Sequence, residues 1–324
     1  MGTCMHLSRT YTAANREPSL ECIVKQITGY LMIAMIRFMG LLPLGVAQSL
    51  GRLLGESLWR RRTRSREVAR VNLRLTHPHL TEAQQADMLH STLLHNGMVA
   101  TEIGGLWGSS QARRLSMVKE VHNEQLLTEA LADERGLLLL APHIGNWEIV
   151  NYFLSERCPM TVMFKPAKNP VFDGWMRAQR EATGSVLVPT TPAGVKALFR
   201  TLQKGGVAGF LPDQEPEQRS GVTVPFMNWP TLTPRMPFEL LQRTKARALM
   251  VFSVRLPNAE GFAIHFLEPD EGIYSSDATE SVAALNRSVE AVVATAPEQY
   301  QWTYKRFKRQ PEGMPNPYKE AGVP

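Results

Sequence analysis

Two segments of this chain share one layout, and that layout limits the fold more than any other feature. The first is Gly136-Leu-Leu-Leu-Leu-Ala-Pro-His143, and the second is Gly206-Val-Ala-Gly-Phe-Leu-Pro-Asp213. Each consists of a glycine, a short apolar run and a proline followed by a polar residue. A short run without polar alternation is typical of a strand that is covered on both faces of a sheet. The two segments therefore predict buried strands that deliver His143 and Asp213 at their carboxyl ends.

Helix and strand patterns alternate around these segments. Thr161-Val-Met-Phe164 is a further apolar run and delivers Lys165. Asn169-Pro170 and Thr191-Pro192 each combine an N-cap residue with proline at the first helical position, so each opens a helix. We therefore predict an α/β fold with a central mostly parallel or mixed β-sheet flanked by helices. If the strands are parallel neighbours, His143, Lys165 and Asp213 converge on one rim of the sheet.

Other elements are predicted from capping and periodicity. Thr81-Glu-Ala-Gln84 is a capping box that opens a helix of about 25 residues. Further predictions are a helix at 121–135, a helix opened by Thr233-Pro234, a strand hairpin formed by 248–254 and 262–267, and a final helix at 278–296.

Composition excludes several classes of protein. The chain has 324 residues, of which 44% are hydrophobic and 20% charged, which is typical of a folded protein. The net charge of +6 favours an anionic partner. Its three cysteines form no CxxC pair or His/Cys cluster, so we predict neither a disulfide framework nor a zinc site.

Residues 22–54 are strongly apolar but are interrupted by Arg37 and Pro43. No run reaches the length of an uninterrupted spanning helix. The segment is either a buried core helix or a membrane anchor that spans the bilayer or lies in its interface. We favour membrane association because a basic run follows, which contains Arg60, Arg61, Arg62, Arg64, Arg66, Arg70 and Arg74.

Arginines after an apolar segment are typical of the cytoplasmic side of a membrane and attract anionic lipids. A solvated helix face is the alternative. Nucleic acid is not supported, because the chain contains neither an aromatic-interleaved RNA motif nor a helix-turn-helix pattern.

His143 and Glu148 carry the chemistry that the sequence indicates. They flank a tight turn between a predicted strand and a predicted helix, where a glutamate can accept from one imidazole nitrogen. The other nitrogen is then free to act as a general base. The chain has no G-x-S-x-G elbow, P-loop, dinucleotide fingerprint or HExxH motif. A base without a protein nucleophile, a metal or a cofactor suits direct transfer of an acyl group to a hydroxyl.

Several ordered motifs resemble those of one family. His143-Ile-Gly-Asn-Trp-Glu148 is similar to the H-x4-D/E motif of glycerolipid-type acyltransferases, and in this form it resembles the late acyltransferases of lipid A biosynthesis. The segments that agree with this resemblance are Lys165-Pro-Ala-Lys-Asn169-Pro170, Pro212-Asp213-Gln214, Gly221-Val-Thr-Val-Pro225-Phe226 and Pro297-Glu298-Gln299-Tyr300-Gln-Trp302-Thr-Tyr-Lys305-Arg306-Phe307.

The resemblance implies a glycerolipid-acyltransferase-like fold and O-acyl transfer. The donor would be an acyl-acyl carrier protein thioester, and the acceptor a hydroxyl of an acylated lipid A precursor. His143 would be the general base and Glu148 would orient it. The substrate-binding residues carried over by motif are Lys165, Asn169, Asp213 and Arg306. Lys165 stands where the family usually has arginine, so contacts there would differ.

The resemblance also implies a location and a domain layout. The enzyme would act at the cytoplasmic side of the bacterial inner membrane, in contact with anionic lipids. We divide the chain into a flexible tail at 1–20, a hydrophobic membrane-association segment at 21–55, an acyltransferase domain at 56–312 and a C-terminal tail at 313–324. Two alternatives stay open. One is an acyltransferase that uses acyl-CoA and another glycolipid, such as a mannosylated phosphatidylinositol, and the other is a non-catalytic membrane-binding protein.

Overall fold

The computed structural model describes residues 20–182 and 184–323. The predicted flexible tail at 1–20 lies outside the described residues, apart from its last position.

A seven-stranded sheet forms the centre of the molecule. In their order across the sheet, the strands are β1 (Val118–His122), β9 (Phe262–Leu267), β8 (Arg247–Arg255), β2 (Leu137–Leu140), β5 (Val207–Phe210), β3 (Met160–Phe164) and β4 (Val186–Pro189). Its neighbouring strands pair in parallel, except that β8 and β9 form an antiparallel hairpin. The sheet is therefore mixed and mostly parallel, which confirms the predicted fold class.

Helices cover both faces of this sheet. They are α1 (Leu20–Leu41), α2 (Leu44–Arg60), α3 (Arg64–Thr76), α4 (Glu82–Trp107), α5 (Gln111–Ser116), α6 (Glu124–Leu131), α7 (Trp147–Ser155), α8 (Pro170–Glu181), α9 (Pro192–Gln203), α10 (Met236–Thr244), α11 (Ala278–Val293) and α12 (Pro317–Glu320). The four leucines of β2 alternate between the faces. Leu138 and Leu140 pack in the core with α3, α9, α10 and α11, whereas Leu137 and Leu139 pack with α6, α7 and the end of α4.

Two predicted helices are wrong in their boundaries. Residues 121–135 do not form one helix, because Val118–His122 pairs with β9 as an edge strand and Asn123 then adopts a left-handed conformation with φ 60°. Thr233-Pro234 does not open a helix, because Trp229–Pro234 is the strand β7. It forms a two-stranded hairpin with β6 (Gly221–Phe226), and the turn between them has positive φ at both central residues. Proline is tolerated in such an edge strand.

The apolar segment 22–54 forms two helices, α1 and α2, that are separated at Leu42-Pro43. By length and composition, Ile23–Leu41 is able to cross a membrane. Both helices expose large apolar side chains, which in α2 are Val46, Leu50, Leu53 and Leu54. The opposite face of α2 packs closely on α4, and α1 packs on α4 and α8.

Glycines permit the close approach of α2 and α4. A Cβ atom on Gly97 would collide with the carbonyl oxygen of Gly51 and would lie 2.7 Å from the backbone nitrogen of Gly55. Backbone atoms of a neighbouring helix cannot move aside as a flexible side chain does. Any side chain at position 97 therefore separates the two helices.

We expect Gly97→Ala to lower the free energy of unfolding by about 1–3 kcal/mol, the usual cost of overpacking. Gly105→Ala is the matched control in the same helix, since its nearest new contact is the mobile end of Met117 at 3.4 Å. The control should gain up to about 0.5–1 kcal/mol from helix propensity. Thermal unfolding followed by circular dichroism measures both, and equal melting temperatures would contradict the tight packing.

Candidate active site

Three neighbouring strand ends form the candidate site. Strands β2, β5 and β3 are adjacent and parallel, so the residues that follow them meet at one edge of the sheet. This brings His143 and Asp213 into direct contact, and places His143 and Lys165 in the lining of one cavity of about 1140 Å³. The predicted parallel arrangement of these strands is confirmed, and it places all three residues at one edge of the sheet.

Asp213 holds His143 at two points. Its Oδ1 lies 2.7 Å from the imidazole Nδ1, and its Oδ2 accepts from the backbone N–H of His143 at 2.8 Å. Both side chains are buried. A carboxylate can only accept, so we infer that Nδ1 carries the proton and that Nε2 is the basic nitrogen. The Nε2 atom lies 3.2 Å from the side-chain amide nitrogen of Gln214, which can donate to it.

The surroundings keep this carboxylate ionised. Burial alone would raise the pKa of Asp213, but the adjacent His143 and Arg306 outweigh burial and hold it below its ordinary value. Tyr300 is fully buried beside it, and burial together with the Asp213 charge raises the pKa of the Tyr300 hydroxyl well above its ordinary range. The tyrosine is therefore neutral and the aspartate is the charged partner of His143.

Glu148 does not occupy the orienting position that the sequence predicted for it. Its Oε2 accepts from the indole nitrogen of Trp107 at 3.1 Å and from Nε of Arg180 at 3.2 Å, and its Oε1 pairs with the other end of the same guanidinium. Glu148 lies in the first turn of α7, where Asn146 caps its backbone N–H, and its side chain meets α4 and α8. The partner of the imidazole Nδ1 is therefore Asp213, although Glu148 still lines the same cavity.

Lys165 and Asn169 have different surroundings. Lys165 is exposed and lies in the lining of the cavity. Asn169 caps α8, with its Oδ1 accepting from the backbone N–H groups of Val171 and Phe172. Its side-chain amide donates to the carbonyl of Lys25 in α1 at 2.7 Å. These contacts tie α8 to α1 and do not favour direct contact of Asn169 with a substrate.

Arg306 is buried, which differs from the substrate contact predicted for it. Its guanidinium donates to the carbonyl of Leu232 at 2.8 Å and to the hydroxyl of Thr233 at 3.0 Å. The arginine therefore attaches the C-terminal segment to β7. It also contributes positive charge near Asp213, which is an indirect influence on the site.

Sequence reasoning missed Arg180. It lies 32 residues after Glu148 in α8, without a motif of its own, and the two side chains meet only in the folded chain. Burial acts to lower the pKa of Arg180, but the Glu148 charge outweighs burial and raises it, so the guanidinium stays charged. Gln214 belongs to the Pro212-Asp213-Gln214 motif, but only the folded structure places it at the imidazole.

The cavity has an apolar interior and a polar outer part. Its buried lining includes Leu139, Val150, Leu154, Met160, Leu187 and Val251. Its outer lining includes Lys165, Gln214, Glu217 and Arg219. A basic imidazole beside a deep apolar space is suited to a reaction at the polar end of a long aliphatic chain.

Comparison with known proteins agrees with this geometry. Residues 14–309 match the family model for the bacterial lipid A biosynthesis acyltransferase. The chain is 29% identical over 280 residues to the lipid A biosynthesis lauroyltransferase of Escherichia coli K12, covering 86% of this chain and 90% of the relative. It is 25% identical over 280 residues to the palmitoleoyltransferase of that strain, with the same coverage, and 24% identical over 267 residues to its myristoyltransferase, with 80% of each chain covered.

The family match covers most of the chain, and the relatives are similar along nearly their whole length. The chain belongs to the bacterial lipid A biosynthesis acyltransferase family and is an acyltransferase of late lipid A acylation.

Proposed function

We propose that this protein transfers an acyl chain from an acyl-acyl carrier protein thioester to a hydroxyl of an acylated lipid A precursor, with His143 as the general base. The observation that carries the proposal is the His143 ring, whose Nδ1 is held by Asp213 and whose Nε2 lies beside a cavity with an apolar interior. The names of the relatives add that lauroyl, myristoyl and palmitoleoyl groups are the kind of chain involved.

The proposed reaction is direct. The acceptor hydroxyl donates a hydrogen bond to Nε2 of His143, which removes its proton as the oxygen attacks the thioester carbonyl carbon. The new C–O bond forms, the C–S bond breaks, and the leaving thiolate takes the proton from the imidazolium. Asp213 stabilises the imidazolium while it carries the extra proton, because its charge is close and desolvated.

Glu148 and Lys165 complete the proposed site in other ways. Glu148 pairs with Arg180 in the cavity wall, and we propose that this pair fixes the electrostatic environment next to His143. Lys165 provides an exposed positive charge for the phosphate groups of the acceptor. Neither role requires the direct contact between Glu148 and the imidazole that the sequence suggested.

We also propose that the protein acts at the inner membrane, with its catalytic domain on the cytoplasmic side. The exposed apolar side chains of α1 and α2 provide a surface for lipid chains. Four exposed arginines at the end of α2 and directly after it are suited to anionic head groups, namely Arg60, Arg61, Arg62 and Arg64. Residues 21–55 are thereby proposed as the membrane-association segment.

The first experiment tests the reaction itself. Purified protein in detergent is given a lipid A precursor with either acyl-acyl carrier protein or acyl-CoA, and the products are read by mass spectrometry. We expect the acceptor to gain one acyl unit from the carrier-protein donor, and we expect His143→Ala to form no product. A His143→Ala protein as active as the parent would exclude the proposed base.

Asp213→Asn tests the pairing of Asp213 with the imidazole. An asparagine amide donates to Nδ1 and moves the ring proton to Nε2, where it blocks the base. We expect kcat to fall by about 10²–10⁴-fold, the usual contribution of a general base. Asp270→Asn is the matched control, since Asp270 pairs with Arg287 at the surface. An unchanged kcat in Asp213→Asn would remove Asp213 from the mechanism.

Val162→Phe tests whether the apolar interior accepts the acyl chain. Val162 lines the cavity next to Gly209, which has no side chain, so a larger ring there shortens the available space. We expect products with shorter acyl chains when thioesters of several lengths compete. Val186→Phe is the control on the neighbouring strand, at a position that is 57% exposed. The same product distribution in parent and Val162→Phe would place the chain elsewhere.

Flotation with vesicles of anionic phospholipid tests the membrane surface. We expect the triple variant Leu50→Gln, Leu53→Gln and Leu54→Gln to bind about tenfold more weakly or worse, since a loss of 1.4 kcal/mol suffices for this. The control changes three exposed apolar residues outside α1 and α2, namely Leu131→Gln, Val186→Gln and Tyr274→Gln. Equal flotation of both variants would show that α2 does not contact lipid.

A further inference from the structure

A buried ion pair that the proposed mechanism does not use lies behind the candidate site. Arg255, the last residue of β8, donates to Glu102 of α4 from Nε to Oε1 at 2.6 Å and from Nη2 to Oε2 at 2.9 Å. Their side chains are 2% and 1% exposed. Desolvation makes such a pair a weak source of stability, and well-packed apolar residues often serve as well. Its other contacts therefore indicate what the pair does.

The pair binds the turn that carries His143. Nη2 of Arg255 donates to the carbonyl of Gly145 at 3.1 Å, and the side-chain amide of Asn146 donates to Oε2 of Glu102 at 3.0 Å. Gly145 has φ +58°, and a Cβ there would collide with the carbonyl of Ser253. The turn thus has a left-handed residue, which glycine adopts without strain, packed directly against β8.

Gln299 connects the same arginine to the same turn. Its side-chain oxygen accepts from the backbone N–H of Arg255 at 2.8 Å, and its side-chain amide donates to the Arg255 carbonyl at 3.1 Å. Its backbone carbonyl accepts from the N–H of Gly145 at 3.1 Å. Two residues later, the N–H of Gln301 donates to the carbonyl of His143 at 3.0 Å. The backbone that follows His143 is therefore held at two points by the segment 299–301.

The pair also reaches the helix that we propose to contact lipid. The side-chain amide of Gln48 in α2 donates to Oε1 of Glu102 at 2.9 Å, and Gln48 is buried. Nδ1 of His95 in α4 lies 3.1 Å from Nη1 of Arg255. Burial and the charges of Arg255 and Arg52 lower the pKa of His95 to about 3, so the ring is neutral and accepts from the arginine. The guanidinium is thereby surrounded by acceptors.

We infer that Glu102 and Arg255 are positioning residues for acyl transfer: through Gly145 and Asn146 they hold the turn that aims the His143 imidazole into the cavity, and through Gln48 they join that turn to α2. This inference rests on the proposed role of His143 as the base. Neither residue contacts a reacting atom, and both act through the backbone between His143 and α7. A displacement of about 1 Å at a reacting group can cost about 10²-fold in rate.

Arg255→Lys is the variant that tests it. The Arg255 guanidinium also donates from Nη1 to the side-chain oxygen of Gln299 at 3.3 Å. Lysine keeps the charge but cannot bind Glu102, Gly145 and Gln299 together, because it lacks the planar guanidinium fork. We expect kcat to fall by about 10²-fold, with KM for donor and acceptor unchanged, when the assay is run well below the melting temperature. Gln48→Leu removes only the connection to α2 and should lower kcat less.

Arg114→Lys is the matched control, since Arg114 is a buried arginine that stacks on Tyr152 away from the cavity. It should lower the melting temperature and leave kcat unchanged. The inference is overturned if Arg255→Lys behaves in the same way as this control. If Arg255→Lys does not fold, Glu102→Gln, which keeps the shape and removes the charge, is assayed in its place, and a parental kcat in that variant also overturns the inference.

Parent and His143→Ala are measured in the same series. Transfer by the parent and none by His143→Ala leaves the proposed function standing, and the Arg255 result then decides the positioning role alone. Absence of transfer by the folded parent, or full activity of His143→Ala, counts against the proposed function instead. The two failures are therefore distinguishable.

Discussion

The contact between His143 and Asp213 is the interaction around which the rest of the site is arranged. It exists because β2 and β5 are parallel neighbours in register, with Leu140 opposite Phe210, so that two side chains three residues beyond the paired positions meet. A buried carboxylate is costly in free energy when its partner is removed, because its charge is then left without compensation. The pairing therefore fixes the imidazole tautomer. Because the contact forms only in this register, the tautomer depends on the alignment of the two strands.

Sequence reasoning predicted this edge of the sheet because short apolar runs, proline breaks and helix caps are local signals. His143, Asp213 and Lys165 each follow such a run, so their convergence needed only the assumption of parallel neighbours. The partner of Glu148 was not predictable in this way, because Arg180 lies in another helix, α8, and meets it only in the folded chain. Thr233-Pro234, at the end of β7, was mistaken for a helix start because an edge strand tolerates prolines that a local pattern assigns to a helix.

The buried charges near the site divide into three groups with different partners. Asp213 holds the imidazole, Glu148 holds Arg180 in the cavity wall, and Glu102 holds Arg255 behind the turn. The sequence predicted Glu148 as the partner of the His143 imidazole and Asp213 as a substrate-binding residue. Distance decides between them, because only Asp213 lies within 2.7 Å of the ring nitrogen. Glu148 and Glu102 are bound instead by Arg180 and Arg255.

The helices proposed to contact lipid are joined to the site by polar contacts, which bears on how substrates arrive. Asn169 connects α1 to the start of α8, four residues after Lys165 in the cavity lining, and Gln48 connects α2 to the turn behind His143. An enzyme whose acceptor and product are both lipids gains from a cavity close to the bilayer, since moving long acyl chains through water is unfavourable. In the proposed function, the apolar faces of α1 and α2 and the apolar interior of the cavity serve one need, which is to keep those chains out of water throughout the reaction.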